Sequence, residues 1–264
     1  MTVTAMIQAR LSSSRLPGKV LQPILGEPLL WRMIERVQRA KNIDQIIVLT
    51  SADRSDDRLA EYCEQQQIDC FRGPLNDVLG RFLLAIQQYQ PAHVVRLTAD
   101  CPLLDPSVID SVVAQHLTEG NDYTSNCLEY TLPDGLDVEV INAKVLERLA
   151  FTANLKSERE HVTMRIRQHQ SDYQLGSWLF DNDLSNKRWT VDYPEDFAFV
   201  TEVYQRLYPS KPDFQLQDIL DLLMASPELE AISPKVIINE GLDRSLNSDY
   251  EVAINEYGQV SELN

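Results

Sequence analysis

Short β-rich runs alternate with amphipathic helical patterns through the first half of this 264-residue chain, and that alternation leaves few folds open. Residues 2–9 read as a strand, 29–40 as a helix with Leu30, Met33, Ile34 and Val37 on one face, and 45–50 as a strand. Helical patterns follow at 57–67 and 78–89, a strand at 93–98 and a further helix at 107–117. Helices that return the chain between successive strands predict an α/β fold, a Rossmann-like, mostly parallel, doubly wound sheet.

After about residue 120 the rhythm changes. Strands are expected at 122–125, 137–141, 173–179 and 188–191, and helices at 144–154, 157–169 and 194–208. This mixture predicts an antiparallel excursion, about 122–180, that rejoins the first sheet. No Pro/Gly/Ser-rich linker interrupts residues 1–208, which are expected to form one domain. Residues 209–264 are expected to be a helical extension packed on it. In that extension 215–225 reads as a helix, Pro227 and Pro234 as breakers, and 232–238 as a segment that pairs or docks. It carries no catalytic motif.

Charge narrows the partners. Forty Asp and Glu against 24 Lys and Arg give a net charge of −16, which argues against nucleic acid and against a polybasic membrane anchor. No apolar run approaches a membrane span and no signal-peptide pattern stands at the N-terminus, so a cytoplasmic location is expected. Cys63, Cys70, Cys101 and Cys127 show no metal-binding or disulfide spacing and read as structural thiols.

Against this acidic background, residues 9–19, Ala-Arg-Leu-Ser-Ser-Ser-Arg-Leu-Pro-Gly-Lys, place Arg10, Arg15 and Lys19 in one loop directly after the first strand. Arginine forks and a lysine point charge suit phosphate oxygens, and ligands collect at the carboxyl ends of strands in such sheets. A solvated basic loop is the plainer alternative. The loop matches neither the Walker A pattern nor G-x-G-x-x-G.

Two aspartates follow predicted strands: Asp100 in Thr-Ala-Asp-Cys-Pro-Leu and Asp192 in Arg-Trp-Thr-Val-Asp-Tyr-Pro-Glu-Asp. Each could cap the following turn or helix, or could hold a hard cation such as Mg²⁺, which takes one or two protein carboxylates beside nucleotide phosphates. If their strands are neighbours, the two carboxylates converge opposite the basic loop. Glu195 and Asp196 suit a helix N-terminus. Ser157 with Glu160 reads as a capping-box variant, while Arg159 and His161 could instead meet a polar acceptor. No hydrolase triad or H-E-x-x-H spacing occurs.

Residues 9–19, 72–81, 98–103, 132–140, 157–163 and 188–196, taken in order, resemble the cytidylyltransferase family of CMP-KDO synthetase and acylneuraminate cytidylyltransferase. The resemblance is strongest to its spore-coat polysaccharide biosynthesis protein F branch. It departs from the pattern at Ser12 and Ala99, where the family has glycine, and at Tyr193, where it has threonine. The resemblance implies a nucleotide-diphospho-sugar transferase type of fold and transfer of CMP from CTP to a sugar acid with release of pyrophosphate. By the same resemblance Ala9, Arg10, Ser12, Ser13, Arg15 and Lys19 would hold the nucleotide with Arg72, Asn76, Asp77 and Arg81. Arg10, Arg15, Lys19 and Asp100 would be catalytic, and Asp100 and Asp192 would hold Mg²⁺. Asp134, Asp137, Glu160 and His161 would face the sugar, and the excursion would form a homodimer. Alternatives are a GT-A-like glycosyltransferase, although Thr98-Ala99-Asp100 lacks the first carboxylate of a D-x-D motif, and a non-catalytic nucleotide-binding protein.

Overall fold

The computed structural model describes residues 1–232 and 245–260. Its strands and helices, in chain order, are β1 (Val3–Gln8), β2 (Pro23–Ile24), β3 (Glu27–Pro28), α1 (Leu29–Val37), β4 (Gln45–Ser51), α2 (Asp57–Gln65), β5 (Asp69–Gly73), α3 (Val78–Tyr89), β6 (His93–Thr98) and α4 (Pro106–Glu119). Then come β7 (Tyr123–Ser125), β8 (Glu139–Asn142), α5 (Ala143–Thr152), α6 (Lys156–Glu160), α7 (Met164–Gln168), β9 (Leu175–Ser177), α8 (Pro194–Leu207) and α9 (Leu216–Ala225). Among the described residues no helix is long and apolar enough to cross a membrane.

The main sheet has the order β5-β4-β1-β6-β8-β7-β9. Strands β5, β4, β1 and β6 are parallel, β8 runs against both β6 and β7, and β9 is parallel to β7. The chain steps from β1 to one side through β4 and β5, then returns to β6 on the other side. This reversal opens a crevice at the carboxyl ends of β1 and β6, the place where doubly wound sheets bind ligands. The Ala99 N–H bonds the Gln8 carbonyl at 3.0 Å, so the two strand ends leave the sheet together.

Alternation along β1 builds both faces. Ala5 and Ile7 join the cluster under α1, α4 and α8, whereas Met6 joins Ile47 and Leu49 under α3 and α5. Phe214, Leu216, Ile219, Leu223 and Leu229 pack into the first cluster. Residues 233–238 of the segment expected to pair or dock lie outside the described residues.

The structure differs from the sequence pattern in three places. Strand β5 was not anticipated, because Asp-Cys-Phe-Arg-Gly lacks a clear alternation, yet it pairs with β4 at the sheet edge. The helix expected over 157–169 is broken after Glu160: Val162 takes φ 44°, and the turn directs the Thr163 hydroxyl, and Arg167 beyond it, onto buried Glu139 at 2.6 and 3.1 Å. Residues 188–191 are extended without being a sheet strand. Only Arg188 makes a bridge, to Asp134.

That segment packs closely enough to require glycine at position 135. Trp189 and Thr190 donate N–H bonds to the Asp134 carbonyl at 2.7 and 2.9 Å. A Cβ on Gly135, whose φ is +111°, would lie 2.4 Å from the Thr190 nitrogen.

Another junction is a buried ion pair between α3 and α6. Arg159 Nε and Nη2 donate to the two Asp77 oxygens at 2.8 and 2.6 Å, and Nη1 reaches the Ala150 carbonyl at 2.6 Å. Removing one partner strands a buried charge, at a cost of about 3–5 kcal/mol. Arg159→Met is therefore expected to lower unfolding stability by that amount in chemical denaturation, and a loss below about 1 kcal/mol would contradict this role.

Candidate active site

The basic loop leaves β1 at Ala9, whose N–H bonds the Leu49 carbonyl at 2.9 Å. Buried Asp56, in the turn after β4, anchors the loop by accepting the Leu11 N–H at 2.7 Å, the Ser51 N–H at 3.1 Å and the Ser51 hydroxyl. The loop closes with the Gly18 N–H on the Leu11 carbonyl at 2.9 Å.

Lys19 then turns inward. Its ammonium donates to Asp100 Oδ2 at 3.1 Å, Asp192 Oδ1 at 2.9 Å and the Val191 carbonyl at 2.7 Å, which uses its three N–H groups. Burial opposes the charge, but the two carboxylates outweigh it and raise the Lys19 pKa above its ordinary value. Burial likewise disfavours the Asp100 carboxylate, yet the Lys19 charge and the Thr98 hydroxyl hold its pKa down at about 2. The convergence expected of Asp100 and Asp192 is thus present, carried by the Val191 N–H on the Asp100 carbonyl at 2.8 Å rather than by paired strands.

Further cations fix Asp192. Arg15 Nη2 lies 2.7 Å from Asp192 Oδ1, with its guanidinium 5.2 Å from the centre of the Tyr193 ring. Arg188 Nη2 donates to Asp192 Oδ2 at 3.1 Å, Nη1 to Asp134 Oδ2 at 2.8 Å and Nε to Asp196 Oδ1 at 3.0 Å. Asp196 Oδ2 also accepts the N–H groups of Asp192 and Tyr193 at 2.8 and 2.9 Å, so Asp196 caps α8 while Asp192 faces the crevice.

A cavity of about 340 Å³ opens over this cluster. Ala9, Arg10, Ser13, Arg15 and Lys19 line it from the loop, with Arg81, Asp100, Asp192, Glu160 and His161 around the rest of the wall. Arg81 is fixed by bonds to the Pro74 and Leu75 carbonyls. A second cavity of about 270 Å³ adjoins it across Arg96, Thr98 and His161, and its walls include Tyr130, Asp137, Glu139, Thr163, Arg167 and Leu246.

Other residues nominated from the sequence lie elsewhere. Ser12 is exposed and outside the lining, and its backbone is not in the left-handed region, so serine adds no backbone strain there. Arg72 is turned to the Ser51 and Asp53 carbonyls and Asp57. Asn76 is exposed, and Asp77 is occupied by Arg159 and by the Gly80 N–H at the start of α3. Asp134 is bound to Arg188 outside both cavities, whereas Asp137 lines the second. Cys101 is buried, and burial together with the Asp100 carboxylate pushes its thiol well above the ordinary range, which disfavours a thiolate. The Ser157 hydroxyl goes to Asp249 rather than to a capping box with Glu160, and Glu158 instead accepts the Leu155 N–H at 3.2 Å.

Several contributors were missed. Arg96 stands between Val95 and Leu97 in β6 and pairs with buried Glu139. Arg188 stands four residues before Asp192, and its bridging to Asp134 and Asp196 has no local sequence pattern. Ser245 and Leu246, from the tail, line the first and second cavities, and no sequence pattern marks them.

Comparison with known proteins identifies the family. A cytidylyltransferase family model matches residues 4–222. Spore coat polysaccharide biosynthesis protein SpsF of Bacillus subtilis is 34% identical over 232 residues, covering 84% of this chain and 94% of that protein. A 3-deoxy-manno-octulosonate cytidylyltransferase of Anaeromyxobacter dehalogenans is 36% identical over 113 residues, 42% of this chain and 46% of that enzyme. The structure of a cytidylyltransferase from Leptospira borgpetersenii superposes with a TM-score of 0.84 at 29% identity, covering 90% of this chain and all of that one, 100%. CMP:2-keto-3-deoxy-manno-octonic acid synthetase complexed with CTP shares the fold, with a TM-score of 0.61 at 14% identity over 78% of this chain and 100% of the other. Matched over most of its length, the chain belongs to the cytidylyltransferase family and is a nucleotidyltransferase.

Proposed function

We propose that this protein transfers CMP from CTP to a sugar acid and releases pyrophosphate, supplying a precursor for surface polysaccharide or another glycan. The observation that carries the reading is the Lys19 ammonium bound to both Asp100 and Asp192 on the floor of the crevice beside the basic loop. Family membership supports it over the glycosyl-transfer and non-catalytic alternatives. Similarity to the octulosonate cytidylyltransferase supports a sugar acid as acceptor.

In this reading Arg10, Arg15 and Lys19 neutralise the triphosphate, with Ala9 and Ser13 beside it and Arg81 toward the nucleoside. The acceptor hydroxyl oxygen bonds to the α-phosphorus as the bond to the bridging oxygen breaks; pyrophosphate leaves with that electron pair and the hydroxyl proton passes to solvent. Such a transfer needs alignment and charge neutralisation more than a covalent nucleophile. Glu160 in the first cavity, His161 between the two and Asp137 in the second face the acceptor, which occupies the second cavity and reaches the first past His161. Arg72, Asn76, Asp77 and Ser12 are left with supporting roles outside the cavity.

The donor set suits a hard divalent cation: Asp100 and Asp192 present oxygen atoms side by side, and Asp100 is only half-buried at the cavity. They would hold Mg²⁺, which when bound supplies positive charge to the phosphates. Lys19 would then exchange its carboxylate partners for phosphate oxygens. We also propose a homodimer joined through the 122–180 region, where exposed Leu179 follows edge strand β9. The free thiols of Cys63, Cys70, Cys101 and Cys127 suit the cytoplasm.

Asp100→Ala is expected to reduce pyrophosphate release from CTP and a sugar acid by on the order of 10²–10³-fold while the circular dichroism spectrum is retained. Full activity in that variant would refute the assignment. A second expectation concerns Asp134, whose pKa is pushed up to about 7 by burial, then by Asp137, with Arg188 only partly offsetting them. A carboxyl that binds its proton more tightly when folded contributes stability present at acid pH and lost as pH rises through about 7. Denaturation at successive pH values should therefore show wild-type stability falling from about pH 4 to 7 by more than that of Asp134→Asn. Parallel curves would contradict this.

A further inference from the structure

The family model ends at residue 222, yet residues 245–260 pack along α6 and bring Ser245 and Leu246 to the two cavities. Polar contacts fix this tail along α6. Asp249 accepts the Ser157 N–H at 2.9 Å and the Ser157 hydroxyl at 2.5 Å, and the Tyr250 carbonyl accepts the Lys156 N–H at 2.9 Å. The Val252 N–H donates to the Asn154 carbonyl at 2.7 Å. Farther on, the Gly258 carbonyl accepts from Arg159 Nη2 at 2.9 Å, which ties the tail to the buried Asp77–Arg159 pair. Gly258 has φ +74°, and a Cβ there would stand 2.9 Å from Leu83 Cδ2 and 3.1 Å from Phe151 Cζ.

This anchoring delivers two side chains to the space next to the transfer centre. The Ser245 hydroxyl donates to Glu160 Oε2 at 3.1 Å and lies 2.9 Å from His161 Nε2. With its proton directed at Glu160, the hydroxyl oxygen accepts from an Nε2–H of His161, so one serine orients both residues. Leu246 lines the adjoining cavity together with Met164, giving an otherwise polar chamber an apolar patch.

We propose that the C-terminal tail is a specificity element of this enzyme: Ser245 positions Glu160 and His161 toward the acceptor, and Leu246 selects acceptors that present an apolar edge. This rests on the reading of the second cavity as the acceptor chamber. The chemistry it fits is a polyhydroxylated acid that combines hydroxyls, for Glu160 and His161, with a deoxygenated carbon or an acyl methyl against Leu246 and Met164.

The test uses the full-length enzyme with CTP, Mg²⁺ and a panel of 3-deoxy-manno-octulosonate, its 8-amino-3,8-dideoxy analogue and an acylneuraminate, with pyrophosphate release as the readout. In Ser245→Ala and Leu246→Ala the KM for the best acceptor should rise by on the order of tenfold while the KM for CTP stays within about twofold. Ser245→Thr, which keeps the hydroxyl, should restore the acceptor KM. Gly258→Val, which unseats the tail, should raise the acceptor KM at least as much, and the two alanine variants decide the matter if it fails to fold. An unchanged acceptor KM in both alanine variants, or an equal rise for CTP, would overturn the proposal with the acceptor reading intact. If the wild-type enzyme binds CTP in calorimetry but turns over none of the acids, the acceptor reading fails and the tail assignment fails with it.

Discussion

One buried ammonium holds the site together. Lys19 joins the basic loop after β1, the end of β6 and the extended segment before α8, because its three N–H groups end on Asp100, Asp192 and the Val191 carbonyl. A buried lysine without partners would shed its proton or move toward water, so these contacts fix where the three segments meet. The sheet order makes the meeting possible, since β1 and β6 are neighbours where the winding reverses. Arg188 extends the arrangement through Asp134 and Asp196, and Gly135 lets the two backbones approach.

The same arrangement prepares the chemistry. Asp100 stays ionised down to low pH because Lys19 and Thr98 overcome its burial, while Asp134, nearby and less well compensated, holds its proton up to about 7. Carboxylates already aligned by cations have little left to reorganise when a triphosphate arrives, the condition under which electrostatic preorganisation is effective. In the proposed reaction Lys19 and Arg15 turn from the carboxylates to the phosphates, which opens Asp100 and Asp192 Oδ1 to a cation while Arg188 keeps Asp192 Oδ2.

Legibility of the sequence varied with the range of the interaction that shaped each part. Residues 78–89 and 93–98 carried strong local periodicity, and α3 and β6 have those bounds. Asp100, Lys19 and Asp192 were recognisable because each ends or follows an element facing the crevice. Asp77 stood in a motif and was nominated for the nucleotide, but its partner Arg159 is 82 residues away and no local pattern reveals the pair. The break at Val162 depends on Glu139 in another strand, and the tail reaches the cavity only through contacts with α6. Departures from the family pattern also look different in three dimensions. Ser12 is exposed without backbone strain, and Tyr193 places its ring beneath Arg15.

In the proposed function Lys19 and the Asp100–Asp192 pair form the junction between triphosphate and metal. A crystal structure with CTP and Mn²⁺, the ion located by anomalous scattering, tests it most directly. The expected result is an anomalous peak bound by Asp100 and Asp192, with Lys19 turned from the carboxylates onto the phosphates. A triphosphate bound away from the loop of residues 9–19, or a manganese ion that touches neither aspartate, would contradict it.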